Sequence, residues 1–256
     1  MQKKNIKLEE IVNLYNTYKN IGVVAEKLNC CNANISKRLK KAGISVVRDY
    51  SKTRESNKEK IKVDEYYFKS IDTEDKAYFL GLMYADGSVS KNVFYLKLKD
   101  EDIIQKFKKC LNTEADIKIV NNHYILTISR QSMCTDLISH GCFTNKTKTI
   151  RFPNLREDLI KHFIRGFYDG DGSLILNKDR WHNSLNFTSG SIVFLEQLQE
   201  KLKSVAITNG SISKEKTHEV WHLRYGGKQV HIILNWLYNN SNFYLKRKYN
   251  KYLLSK

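Results

Sequence analysis

Phe79-Leu80-Gly81-Leu82-Met83-Tyr84-Ala85-Asp86-Gly87-Ser88 recurs later in the chain as Ile164-Arg165-Gly166-Phe167-Tyr168-Asp169-Gly170-Asp171-Gly172-Ser173. The shared landmarks Gly81/Gly166, Asp86/Asp171, Gly87/Gly172 and Ser88/Ser173 are all displaced by the same 85 positions. A repeat that sets one acid at the same point of two equivalent helices predicts a duplicated half-site with paired carboxylates at its seam. Gly81 and Ala85 stand four apart, as do Gly166 and Gly170, so each helix presents a strip of small residues that lets two backbones approach closely. Asp86 and Asp171 would then lie side by side at the helix C-termini, each followed by a glycine suited to a left-handed cap. An acid in that place opposes the helix dipole by about 0.3–1 kcal/mol, and two like charges together cost more. Bound divalent cations would offset that cost, and carboxylate oxygens suit Mg²⁺, which keeps its waters and bridges to phosphate. A lone Asp-Gly-Ser reads as a hairpin turn; two at equivalent points of a repeat do not.

The rest of the composition agrees with a phosphate-bearing partner. The 256-residue chain carries 44 Lys+Arg against 27 Asp+Glu, a formal charge of +17, and this points to a polyanion. The charge is segregated. Ile35 to Arg48 holds Lys37, Arg38, Lys40, Lys41 and Arg48 with no acid, the tail from Asn239 is equally free of acids, and Asp64 to Asp102 has more acids than bases. Segregation of this kind favours nucleic acid over general solubility. Five cysteines, an odd number without C-x-x-C spacing, fit a reduced compartment and small buried thiols. No run is apolar enough to span a membrane and the polar start has no signal-like core, so a soluble, cytoplasmic protein is expected, in a bacterium or phage-infected cell or else an organelle.

Three short helices are expected in residues 1–48. The first carries the stripe Leu8, Ile11, Val12, Leu14 and Tyr15, and the second runs through Val23 to Leu28. The third passes through Ile35, Leu39 and Ala42, capped by Asn32 or Asn34 and stopped by Gly43. Short helix, tight turn, basic helix is similar to the helix-turn-helix of bacterial regulators and resolvases, whose last helix enters the major groove. Asn32, Asn34, Ser36, Lys37, Arg38 and Lys40 are its candidate DNA contacts. Residues 49–65 read as a charged linker. Beyond it, strands are expected over Val93 to Lys99, Ile117 to Val120 and Tyr124 to Arg130, with helices over Glu101 to Leu111 and Ser132 to Gly141. The second half repeats the order, introduced by Pro153 at the start of its motif helix. Each half (66–153 and 154–256) is therefore αββαββα, and the fold class is α+β.

The twin blocks resemble the two motifs of the LAGLIDADG homing endonucleases in their single-chain form, and the likeness runs from about Tyr66 to Tyr252. The resemblance implies a monomer whose two pseudo-symmetric halves build a saddle-shaped sheet on double-stranded DNA. It implies that Asp86 and Asp171, with Gly87 and Gly172 beside them, hold Mg²⁺ (or Mn²⁺ as a substitute) and the scissile phosphate. It also implies one basic residue near each centre. Lys146 follows from the segment Gly141 to Thr147 and Lys248 from the closing segment Tyr244 to Tyr249, with Lys246, Arg247 and Lys251 as DNA contacts beside it. By strand alternation the DNA face would include Tyr95, Lys97, Lys99, Thr127, Ser129, Asn186, Thr188, His222 and Arg224. The function implied is sequence-specific double-strand cleavage that promotes mobility of the protein's own intron or intervening element. The competing expectations from the same fold are an intron maturase acting on RNA and a regulator that no longer cuts.

Overall fold

In a computed structural model, residues 6–46, 61–143, 148–177, 183–217 and 219–255 are described. They divide into two compact units, Met1–Lys60 and Ile61–Lys256. In the first, the apolar stripe buries one face of each of three helices, α1 (Leu8–Tyr18), α2 (Ile21–Lys27) and α3 (Asn32–Lys41), around Ile11, Tyr15, Val24, Ala25, Ile35 and Leu39. The Asn20 side chain accepts from Val23 N at 3.3 Å and starts α2. The chain turns between α2 and α3 through Asn29 in the left-handed region (φ 48°). Capping of α3 differs from expectation. Cys31 occupies the cap position without a side-chain bond and Asn32 is already helical, so neither Asn32 nor Asn34 caps the helix. Gly43, at φ 73°, stops it as expected.

The second unit has the two αββαββα halves. The first is α4 (Glu74–Ala85), β1 (Gly87–Val89), β2 (Phe94–Leu98), α5 (Glu101–Cys110), β3 (Ile117–Val120), β4 (His123–Ile128) and α6 (Gln131–Ser139). The second is α7 (Glu157–Asp171), β5 (Gly172–Ile175), β6 (Ser184–Ser189), α8 (Ile192–Leu202), β7 (Ser211–Lys214), β8 (Trp221–Gly226) and α9 (Lys228–Tyr238), followed by α10 (Lys246–Leu254). Each half forms a four-stranded antiparallel sheet, ordered β1-β2-β4-β3 and β5-β6-β8-β7. Period-two alternation buries one face of each sheet: Phe94, Leu96 and Leu98 point inward with Leu126 and Ile128, as do Leu185 and Phe187 with Leu223 and Tyr225.

Helices α4 and α7 cross at the centre with their backbones in contact. A Cβ on Gly81 would lie 2.2 Å from Phe163 O, and one on Gly166 would lie 2.0 Å from Tyr78 O. The strips of small residues are thus required by the crossing. Helix α4 is buried without interruption from Ala77 to Tyr84, as a helix wrapped on all sides must be.

Three local expectations are corrected. Gly87 and Gly172 are not left-handed caps: each opens a strand, and Gly172 is extended (φ −88°, ψ 164°). They are glycines because the helix reverses into the strand on its own last turn, where a Cβ would meet Met83 O at 2.6 Å or Tyr168 O at 2.6 Å. Strand β1, which the αββαββα order requires, falls on Gly87–Val89, where no strand residues were expected. Pro153 lies in an extended stretch four residues ahead of α7 and does not start it.

A buried polar cluster ties the halves together. Arg165, 0% exposed, donates from Nε to Phe243 O at 2.7 Å, from Nη1 to Leu237 O at 2.9 Å and from Nη2 to Glu74 Oε1 at 2.7 Å. Burial disfavours ionised Glu74, but donors on Asn242 together with Arg165 outweigh it and hold its carboxyl below the ordinary value. Arg165 Nη2 also reaches His162 Nδ1 at 3.0 Å. Because arginine only donates, that nitrogen must accept. Burial and the guanidinium push His162 down to about 4, so the ring is neutral near pH 7 with its proton on Nε2.

Candidate functional site

The site begins with the α4/α7 crossing, because whatever ends those helices is brought together by it. Asp86 caps α4 and Asp171 is the last residue of α7. A Cβ on Gly170 would stand 2.3 Å from Ala85 Cβ and 2.9 Å from Asp86 Oδ2. The Asp86 carboxylate therefore lies against the backbone that carries Asp171. Asp86 is half-buried and Asp171 exposed, so both face a side that a ligand can reach. Each helix leads directly into an edge strand, β1 or β5, and the two sheets flank this seam.

Lys248 sits at the same place. Its Nζ donates to Tyr168 O at 2.6 Å and Gly172 O at 2.5 Å, lies 3.4 Å from Gly170 O, and stands 4.9 Å from the centre of the Tyr168 ring. These carbonyls end α7, where a cation complements the helix dipole. Burial draws the Lys248 pKa down to about 8, against the pull of Asp169, Asp86 and Asp171. The ammonium is thus within the field of both seam acids. The Gly172 carbonyl, named as a metal neighbour, is already an acceptor for this lysine. Lys146, the counterpart named for the first half, lies outside the described residues.

The remaining motif acid has a different role. Asp169 is 0% exposed and accepts from Tyr78 Oη, Tyr238 Oη and Leu245 N, each at 2.8 Å. Burial raises its pKa, while the three donors and Lys248 favour the ionised form. Its position in the first half is held by Tyr84, whose Oη donates to His140 O at 2.6 Å. Both residues tie a seam helix to the end of its own half, one as acceptor and the other as donor. Asp169 also fixes the backbone three residues before Lys248.

The strand register explains how the outer sheet faces reach the seam. Tyr95 pairs with Thr127 and Ser88, and Lys97 pairs with Ile125, which in turn pairs with Lys118. In the second sheet Ser173, Asn186, Arg224 and Ser211 form one row, and Thr188, His222 and Ser213 the next. Arg224 Nε donates to Asn186 Oδ1 at 2.9 Å, and Thr188 Oγ1 lies 3.1 Å from His222 Nδ1. All nine residues named for this face point away from the core side. Tyr95, Lys99, Thr127, Ser129 and Arg224 are exposed, Lys97, Thr188 and His222 half-buried, and Asn186 is covered. Ser88, Lys118, Ser173, Ser211 and Ser213 share the face and are visible only once the register is known.

The comparisons with known proteins bear on this architecture. Residues 158–235 match the LAGLIDADG-like domain family. The uncharacterized protein MJ0314 of Methanocaldococcus jannaschii is 29% identical over 116 residues, 41% of this chain and 44% of that protein, so the match spans under half its length. Among solved structures, the meganuclease I-SmaMI bound to uncleavable DNA is similar at a TM-score of 0.50 and 15% identity, covering 73% of this chain and 88% of that one. I-SmaMI bound to cleaved DNA gives the same score and coverage at 14% identity. The chain has a LAGLIDADG fold.

Outside the LAGLIDADG seam, the named residues fall in two groups. On α3, Asn32, Asn34, Lys37 and Lys40 are exposed and Ser36 and Arg38 half-buried. Arg38 Nη2 donates to Ile6 O at 2.6 Å, which spends part of its guanidinium inside its own unit. On α10, Lys251 is exposed, while Lys246 pairs with Asp102 at 3.2 Å and Arg247 with Asp100 at 3.0 Å. These exposed pairs tie the closing helix to α5 and its approach. Among the described residues, no helix is long and apolar enough to cross a membrane.

Proposed function

We propose that this LAGLIDADG chain is a sequence-specific, divalent-metal-dependent DNA endonuclease that acts as a monomer and cuts both strands. Its cutting would promote mobility of its own intervening element. The observation that carries this reading is the pair of carboxylates, one from each half, forced to adjoining helix ends by a backbone-to-backbone crossing. Two carboxylates fit Mg²⁺ or Mn²⁺, which take one or two acidic ligands and fill the remaining positions with water and phosphate oxygens. Among the described residues no three His, Cys, Asp or Glu side chains gather around one point. A bound ion would supply an activated water and stabilise the leaving oxygen. The chain's own part is to hold Asp86 and Asp171 at the seam and to place the Lys248 ammonium beside them. The outer sheet faces hold the duplex, with +17 net charge drawing it in. Linearisation of a plasmid library of randomised inserts in Mg²⁺, with a chelator control, tests the whole reading. If no metal-dependent linear product forms, the reading fails.

Two outcomes follow for particular residues. Lys248→Ala is expected to slow single-turnover cleavage by about 10²-fold at saturating protein, the scale of losing one donor to developing charge. Lys251→Ala, on the exposed outer side of α10, is expected to leave that rate unchanged and to reduce the slope of affinity against salt by about one. A normal rate for bound Lys248→Ala would make the tail an electrostatic clamp only.

The N-terminal helical unit is assigned to DNA beyond the cleavage site, through the exposed side of α3. Deleting Met1–Tyr50 is expected to weaken binding at least about tenfold, as the loss of several phosphate contacts implies, and to shorten the footprint. Far-ultraviolet dichroism and the thermal transition of the remaining unit should persist. An unchanged footprint would remove this unit from the interface.

A further inference from the structure

We propose that Arg224 reads a guanine in the half-site held by the second sheet, and that Asn186 is the positioning residue that aims it. The proposal rests on the reading of the outer sheet faces as the DNA surface. Arg224 is exposed on β8, yet its Nε is bound by Asn186 Oδ1 at 2.9 Å. Asn186 is 5% exposed, and its Nδ2 reaches Ser173 Oγ at 3.4 Å. One donor and one acceptor of its amide are thus engaged in the row Ser173–Asn186–Arg224, and its burial keeps it from reaching a base itself. A surface arginine ordinarily samples many rotamers. Here a covered amide holds one edge of the guanidinium, and the Nη1/Nη2 edge is turned away from it as a two-donor fork.

The base that matches such a fork is guanine, which shows two acceptors, O6 and N7, on its major-groove edge. Adenine sets a donor beside its acceptor, thymine a methyl, and cytosine offers only a donor. The register also locates the base. Ser173 is two residues past Asp171, and Arg224 is two strands across from Ser173. At about 3.3 Å per residue and 4.8 Å per strand, Arg224 lies roughly 12 Å from the seam acid, or about three to four base pairs along a duplex. The equivalent row of the first sheet is Ser88, Tyr95 and Thr127, which has no arginine. The guanine preference therefore belongs to one half-site only, and it makes the target asymmetric.

The test is selection of bound DNA from a randomised duplex library by the full chain in Ca²⁺, followed by sequencing. The wild type is expected to show one strong guanine column in one half-site. Arg224→Ala and Arg224→Lys should flatten that column by about 5- to 150-fold in relative affinity, the range of one two-donor base contact. Other columns should be untouched. Asn186→Ala should weaken the same column while overall affinity stays within a few-fold. A uniform loss of affinity with unchanged base preferences would make Arg224 a phosphate contact and overturn the proposal alone. A wild type that selects no sequence would overturn it together with the reading of the sheets.

Discussion

Asp86→Asn and Asp171→Asn are each expected to abolish double-strand cleavage while leaving DNA binding intact or slightly stronger. The assay is plasmid linearisation in Mg²⁺ beside a gel shift in Ca²⁺. Each substitution keeps the shape of a side chain that is half-buried (Asp86) or exposed (Asp171) and removes only the charge, so the fold is not at stake. On the proposed reading, what would be lost is a ligand for a hard cation, whose stabilisation of a transferring phosphate is worth several kcal/mol. That corresponds to a rate drop on the order of 10³-fold or more. What is gained is one fewer negative charge facing the phosphate backbone. Because the acids come from different halves, the loss should follow from either one. Undiminished linearisation by either variant would end the paired-carboxylate mechanism.

Gly166→Ala is expected to be the most destabilising small substitution in the LAGLIDADG unit. The added methyl would fall 2.0 Å from Tyr78 O, 2.9 Å from Tyr78 C and 3.1 Å from Leu82 N. All three are backbone atoms of α4, so no side chain can rotate away, and the helices must separate. Overpacking of this kind costs about 3 kcal/mol or more, which for a unit of this size is a fall in Tm of about 6–12 °C. Gly226→Ala is the control, because its methyl would meet only Asn183 O at 3.9 Å and should change stability by less than about 1 kcal/mol. Urea unfolding of both variants decides it. Equal stability of the two would mean that the crossing is not held by backbone contact.

Much of this was legible in the chain. The repeat displaced by 85 positions located both seam helices, and the Gly81/Ala85 and Gly166/Gly170 spacing located their line of contact. Alternation over Phe94 to Leu98 and Leu185 to Phe187 separated the buried face from the outer one. What could not be read depends on longer-range geometry. Strand β1 is three residues long, too short to show a period. Gly87 and Gly172 were legible as special but not for the right reason, because a left-handed cap and a helix that reverses onto its own last turn both demand glycine. The partners of Asp169, namely Tyr78, Tyr238 and Leu245 N, come from three separate elements, and nothing local links them. The same holds for Arg165 with Glu74, 91 positions apart.

Two polar contacts across the crossing have no counterpart at the symmetric positions. Arg165 of the second half takes Glu74 of the first, and Asp169 of the second takes Tyr78 of the first. The symmetric positions are Leu80 with Leu159, and Tyr84 with Phe163, whose rings stand 5.0 Å apart. A homodimer built from two second halves would set each Arg165 against a leucine and each Asp169 against a ring with no hydroxyl. Each Arg165 would keep Phe243 O and Leu237 O, and each Asp169 would keep Tyr238 and Leu245 N, but every one of the four groups would lose its partner across the crossing. The halves are alike in fold, and these differing positions make them non-interchangeable at the crossing. The crossing therefore calls for two unlike halves, and two copies of the second half could not reproduce its polar contacts.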